Sequence, residues 1–149
     1  MNKMPMKFGD YEVVKLKLED SVITEYFLPR TSLERKLDRW SRMNELKSNG
    51  YVVLATVFVD KETYLNMRIN DTVDDYCYQD KLEQEYRVKY RHGEIDREVY
   101  IDTMKAIQDY KWTCLKKLDM QMRRLFREDF DCWNEIAIQL YDQFLKGIM

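Results

Sequence analysis

Hydrophobic and polar positions alternate through residues 11–18, where Val14, Leu16 and Leu18 face one way and Lys15 and Lys17 the other. Period two is the signature of a half-buried strand. Glu19-Asp20-Ser21 interrupts the pattern, and Val22 to Leu28 is a second run rich in β-branched and aromatic residues. The pair reads as a hairpin, although it lacks an Asn-Gly turn. Pro29 closes it. Thr31-Ser32-Leu33-Glu34 then has the form of a capping box, with Thr31 and Glu34 satisfying each other's backbone N–H groups. Leu33, Leu37, Trp40, Met43 and Leu46 follow at spacings of three and four and predict a helix with an apolar core stripe. Arg35, Lys36, Arg39 and Arg42 occupy much of its remaining surface, and Gly50 suits the left-handed position after a helix C-cap.

Tyr51 to Val59 is apolar at nearly every position, which predicts a central strand covered on both faces. Leu65, Met67 and Ile69 alternate with Asn66 and Arg68 and predict a fourth strand, with a helix from Asp60 as the alternative. Beyond Asn70 the pattern is helical. Asp71 or Thr72 can cap a helix whose stripe holds Val73, Tyr78, Leu82, Tyr86 and Tyr90, and Gly93 stops it. Asp96 starts a long helix, with Ile95 and Tyr100 as a hydrophobic staple across the cap. Met104, Ile107, Cys114, Leu118, Met122 and Leu125 keep a near-heptad rhythm broken by Lys111. A last helix carries Trp133, Ile136, Leu140 and Phe144 and ends near Gly147, after a kink or turn at residues 127–131 that Asp129 or Asp131 could cap.

The element order β-β-α-β-β followed by three helices predicts an α+β fold with a small, mostly antiparallel sheet and one packed helix. Residues 1–70 form a sheet-plus-helix module and 71–149 a helical module. Each is small for a self-sufficient core, so one cooperative unit is expected.

Composition narrows the class. Hydrophobic residues make up 45% of the 149, aromatics 13% and charged residues 35%, with four Gly and two Pro. These values suit a packed, well-solvated globule and leave little room for disorder. The formal net charge of -2 gives no global bias toward nucleic acid. No apolar run has the length of a membrane span, and Met1 to Pro5 lacks the apolar core of a signal peptide. Cys77, Cys114 and Cys132 are an odd set without paired spacing and read as reduced, buried thiols of a cytoplasmic protein.

The chemistry-bearing residues are sparse. A single histidine, His92, lies in a charged turn; with no Cys pair it excludes the usual zinc ligand sets. Four scattered glycines build no phosphate loop, and neither a nucleophile elbow nor a kinase signature occurs. No metal or cofactor is expected. Asp60, at the end of a strand, offers one carboxylate for a metal-dependent nuclease with a second acid such as Glu12, but no convincing Glu-x-Lys accompanies it. The acids of Asp71-Thr72-Val73-Asp74-Asp75 lack the spacing of a calcium loop.

Charge segregation is the most informative feature. Residues 71–85 carry Asp71, Asp74, Asp75, Asp80, Glu83 and Glu85 against Lys81 alone, whereas residues 102–127 carry Lys105, Lys111, Lys116, Lys117, Arg123, Arg124 and Arg127 against three acids. The two helices could neutralise each other as an antiparallel pair. Alternatively Lys105, Trp112, Lys116, Lys117, Arg123, Arg124 and Arg127 form a binding face for an acidic partner, with Trp112 and Tyr110 available for stacking on nucleic acid.

Residues 82–107, through Gly93, Ile95, Asp96, Glu98 and Tyr100, resemble the short helical hairpin called SHOCT. The resemblance covers a sixth of the chain and implies an oligomerisation or docking element; the helix that follows is much longer than in that family. A homodimer through helix 97–126 is one expectation. In size and lack of motifs the chain also resembles accessory proteins of bacteriophages and mobile elements, including anti-CRISPR inhibitors. That likeness implies a non-enzymatic protein of the bacterial cytoplasm, bound to a protein or ribonucleoprotein complex of the host, with nucleic acid as the second candidate partner.

Overall fold

The computed structural model describes residues 9–147. Met1 to Pro5, read above for a leader, lie outside them. The fold is α+β, in the order β1 (Tyr11–Leu18), β2 (Ser21–Phe27), α1 (Leu33–Ser48), β3 (Val52–Val59), α2 (Lys61–Arg91), α3 (Arg97–Arg127) and α4 (Glu135–Leu145). The chain divides into two compact units, one up to Tyr64 and one from Leu65 on, so the boundary falls inside α2.

In the first unit, β1 is the central strand of an antiparallel sheet ordered β2-β1-β3. The hairpin expected from the alternation is present. Leu18 pairs with Ser21, leaving Glu19 and Asp20 as a two-residue loop with Glu19 at φ +54°. Val14, Leu16, Phe27, Met43 and Leu46 form the core between the sheet and α1. The helix ends in a Schellman turn: Tyr51 N–H donates to the Leu46 carbonyl (3.1 Å) and Gly50 N–H to that of Lys47 (3.0 Å), with Gly50 at φ +96°.

Several local expectations are corrected by the structure. The N-cap of α1 is Ser32, whose side chain accepts from Arg35 N–H, so Thr31 and Glu34 make no capping box. The helix also sits on the sheet by a different stripe. Leu33, Leu37 and Trp40 are exposed (73%, 54% and 63%), and Arg39 and Arg42 turn toward the sheet instead. Two strand carboxylates, Glu12 and Glu25, attract that arginine row, and the ion pairs decide which face of the helix turns inward. The strand Val52–Val59 is an edge strand, not a central one, and most of its residues are exposed.

Finally, residues 65–69 belong to α2 and not to a fourth strand. Asp60 caps this helix, accepting from Thr63 N–H at 2.8 Å, and Leu65, Ile69, Val73 and Tyr76 are buried at helical spacing. The apparent alternation at Met67 is incidental to that period. Asp71 and Thr72 therefore lie within the helix and do not cap it. Tyr76 is buried in place of Tyr78, which is 59% exposed.

In the second unit, Gly93 (φ +71°) stops α2, and Asp96 caps α3 by accepting from Val99 N–H. Ile107, Cys114, Leu115, Leu118, Met122 and Leu125 make the buried face of α3. The join to α4 is a true turn. Asp129 adopts φ +57°, and its N–H and that of Phe130 close a Schellman turn on Phe126 and Leu125. Asn134, not Asp129 or Asp131, caps α4, and Trp133 precedes that helix. Buried Asn66 holds the loop, donating to the Asp131 carbonyl (3.0 Å) and accepting from Trp133 N–H (2.7 Å). No helix among the described residues is long and apolar enough to cross a membrane.

Candidate binding surface

Lys105, Trp112, Lys116, Arg123 and Arg127 are spaced at alternating steps of seven and four along α3. At about 3.6 residues per turn that spacing is one face of a helix. It lies opposite the buried row Ile107, Cys114, Leu118 and Leu125. Lys117 and Arg124 flank it, and all seven residues are exposed. Trp112 is 45% exposed, with its ring centroid 5.5 Å from that of Phe144. The Lys116 ammonium lies 6.0 Å from the Trp112 ring centroid, within cation–π range. Met120, 73% exposed, adds an apolar element to the same face.

The acidic helix does not consume these charges. Of the seven bases in residues 102–127, the one paired to α2 is Lys111, whose side chain is 12% exposed. It donates to Asp80 (3.0 Å) and Glu83 (3.2 Å) and sits 5.0 Å from the Tyr76 ring centroid. Burial pulls the Lys111 ammonium pKa down, but hydrogen bonds to Asp80 and Glu83 outweigh that and raise it above its ordinary value. Gln108 also donates to Glu83. Lys111 thus breaks the heptad rhythm because it is an interhelical ion-pair residue at a core position. On the outer face Arg123 pairs with Asp119 (3.0 Å), which also accepts from the Tyr141 hydroxyl (2.9 Å). Lys105, Lys116, Lys117, Arg124 and Arg127 make no ion pair among the described residues.

A second charged constellation lies between the sheet and α1. Glu12, its side chain 3% exposed, accepts from Arg30 (2.8 Å) and from Arg39 at both carboxylate oxygens. Burial raises the Glu12 pKa, and the Arg39 and Arg30 hydrogen bonds more than reverse it, leaving it below the ordinary glutamate value. Arg42 pairs with Glu25 beside an open cleft between α1 and β2. These guanidiniums are already matched by carboxylates of the chain, so the layer holds the helix to the sheet and offers little charge to a ligand. It also commits Glu12 to two cations, while Asp60 separately accepts from Thr63 N–H as the cap of α2.

His92 is exposed in the turn between α2 and α3. Among the described residues no group of three or more His, Cys, Asp or Glu is arranged to hold a metal ion. Cys114 is buried and Cys132 intermediate, but Cys77 is exposed, which corrects the expectation of three buried thiols. Burial raises the pKa of all three, so none is an activated thiolate. The exposed apolar residues of β3 and of α1 were placed in the core by hydrophobicity alone. For α1 the available signal is the spacing of Arg35, Arg39 and Arg42, a charged helix stripe of which Arg39 and Arg42 meet acids on β1 and β2.

Comparison with protein-family models, curated proteins and solved structures finds no match to the chain.

Proposed function

We propose that this is a non-catalytic binding protein that acts by occupying an acidic surface of a larger macromolecular complex, through the outer face of α3. One observation carries this reading. Lys105, Lys116, Lys117, Arg124 and Arg127 are exposed on or beside the face that holds Trp112 and take no part in ion pairing among the described residues. Arg and Trp dominate interface hot spots, and exposed bases with no fold role are available to a partner. The SHOCT-like hairpin, capped by Asp96 beyond Gly93, sets the start of that helix and serves the same docking role. A phage or mobile-element inhibitor of a host protein or ribonucleoprotein complex in the bacterial cytoplasm, in the manner of anti-CRISPR proteins, is the biological form we assign to it.

The Lys116–Trp112 arrangement also favours a second reading, a nucleic-acid-binding protein that stacks a base on Trp112. Capture from bacterial lysate, with and without nuclease, separates the two. The first reading expects a stoichiometric protein that survives nuclease and is lost with the Lys116→Glu, Arg123→Glu, Arg127→Glu triple variant. Recovery of nucleic acid alone, with affinity falling steeply in salt, would establish the second. Capture unchanged by the triple variant would sink both.

A further inference from the structure

Strand β3 ends the sheet, pairing with β1 on one side and with no strand among the described residues on the other, and most of its residues are exposed. Such an edge is a template for a further strand unless charge, proline, a bulge or a covering element blocks it. From Val52 to Val59 there is no charge and no proline. Val52, Leu54 and Val57 are 63%, 55% and 51% exposed. The register shift against Lys15 and Leu16 places a bulge at Leu54, which leaves Ala55–Val59 regular.

The exposed stripe of α1 lies on the same side. Asp38 and Arg42 face the β2 cleft, and on a helix of about 3.6 residues per turn Leu33 and Trp40 fall on the opposite flank, the one toward β3.

We infer that this side of the first unit docks a second copy of the chain, with Ala55–Val59 of each copy antiparallel about a twofold axis normal to the sheet. Three observations select a second copy over a foreign peptide. Self-pairing sets apolar residues against apolar or small ones throughout Ala55–Val59, with no like charges opposed. The twofold axis keeps both α1 helices on one face of the joined sheet, so their Trp40 flanks face each other across the trough above the paired strands. A single added strand would satisfy the edge and leave Leu33 and Trp40 in water. The antiparallel sense also separates the two Asp60 carboxylates, which a parallel pairing would set side by side.

The test is the mass of the full chain in solution by sedimentation, over a dilution series, with amide exchange read in parallel. Twice the chain mass at high concentration is expected, with those amides of Ala55–Val59 that point away from β1 losing protection on dilution. Val57→Lys places two ammonium groups together at the centre of the paired segment and is expected to halve the observed mass, while Lys116→Glu leaves it unchanged. A wild-type chain of single mass at every concentration overturns the inference. So does a dimer that survives Val57→Lys, or one lost with Lys116→Glu but not Val57→Lys, which would place the contact on α3. If Val57→Lys does not fold, the wild-type exchange data decide: protection of those outward amides that is independent of concentration overturns the inference.

Discussion

Glu12 shows what a single residue contributes. Its carboxylate is nearly fully buried on the central strand and satisfied by two guanidiniums, Arg30 and Arg39. A buried charge is costly alone and tolerable when paired, so removing it strands two cations at the sheet–helix boundary. Glu12→Gln is expected to lower unfolding free energy by about 2–4 kcal/mol, measured in urea, the value sitting toward the low side because both arginines are partly exposed. The pH dependence follows from the lowered pKa: burial opposes ionisation, but Arg39 and Arg30 prevail. The unfolded chain therefore holds this proton at higher pH than the folded one. The contribution is fully present above the ordinary glutamate range and is lost as pH falls through the lower folded value. The Gln variant should show a shallower loss of stability on acidification. A wild-type slope retained in the variant would assign that loss to other carboxylates. In the sequence Glu12 occupied one position of an alternating strand; the arginine stripe of α1 marked a charged helix face, but nothing showed that Arg30 and Arg39 would converge on this carboxylate.

Elements were legible where a local signal had one meaning. The β1–β2 alternation, the Asp96 cap and the Gly50 and Gly93 stops all lie where the pattern placed them. The end of α3 was ambiguous because its left-handed C′ position is filled by Asp129 instead of glycine. An L residue at positive φ carries a penalty that glycine does not. Asp129→Gly is expected to stabilise the protein by about 0.5–1 kcal/mol, seen as a rise in melting temperature. An unchanged or lower melting temperature would mean that the Asp129 side chain offsets its backbone cost. The strand Val52–Val59 misled for a different reason. An apolar run on both faces is expected of a central strand, and an edge strand that docks a partner has the same composition, so periodicity cannot separate them. The segment at Leu65–Ile69 was short enough to satisfy either period; the cap from Asp60 and the helical spacing that continues to Val73 and Tyr76 decide for the helix.

At the scale of the whole molecule, the candidate surface was legible as a set of residues but not as a face. The seven bases between residues 102 and 127 differ in role, and the structure separates Lys111, which joins α3 to α2, from Lys105, Lys116, Lys117, Arg124 and Arg127, which are exposed and make no ion pair among the described residues. Two lysines a little over one turn apart therefore make opposite predictions. Lys111→Ala removes the ammonium from Oε2 of Glu83, itself 5% exposed at the side chain, leaving Arg87 and Gln108 on the other oxygen, and should cost about 1–3 kcal/mol of stability with no direct loss of partner contact. Lys116→Ala removes an exposed charge and should change stability by no more than about 0.5 kcal/mol, yet weaken capture of the partner. Thermal unfolding and partner titration on the same two variants check both halves. The salt dependence of the titration adds the nature of the partner: each phosphate neutralised contributes about 0.9 to the slope of log affinity against log salt on duplex DNA. For a phosphate-bound complex Lys116→Ala should reduce that slope by about one contact, whereas a protein partner bound around Trp112 should show a shallow slope and a larger loss on Trp112→Ala. If Lys116→Ala destabilises as much as Lys111→Ala, the outer face belongs to the fold, and the assignment of α3 as the binding surface fails.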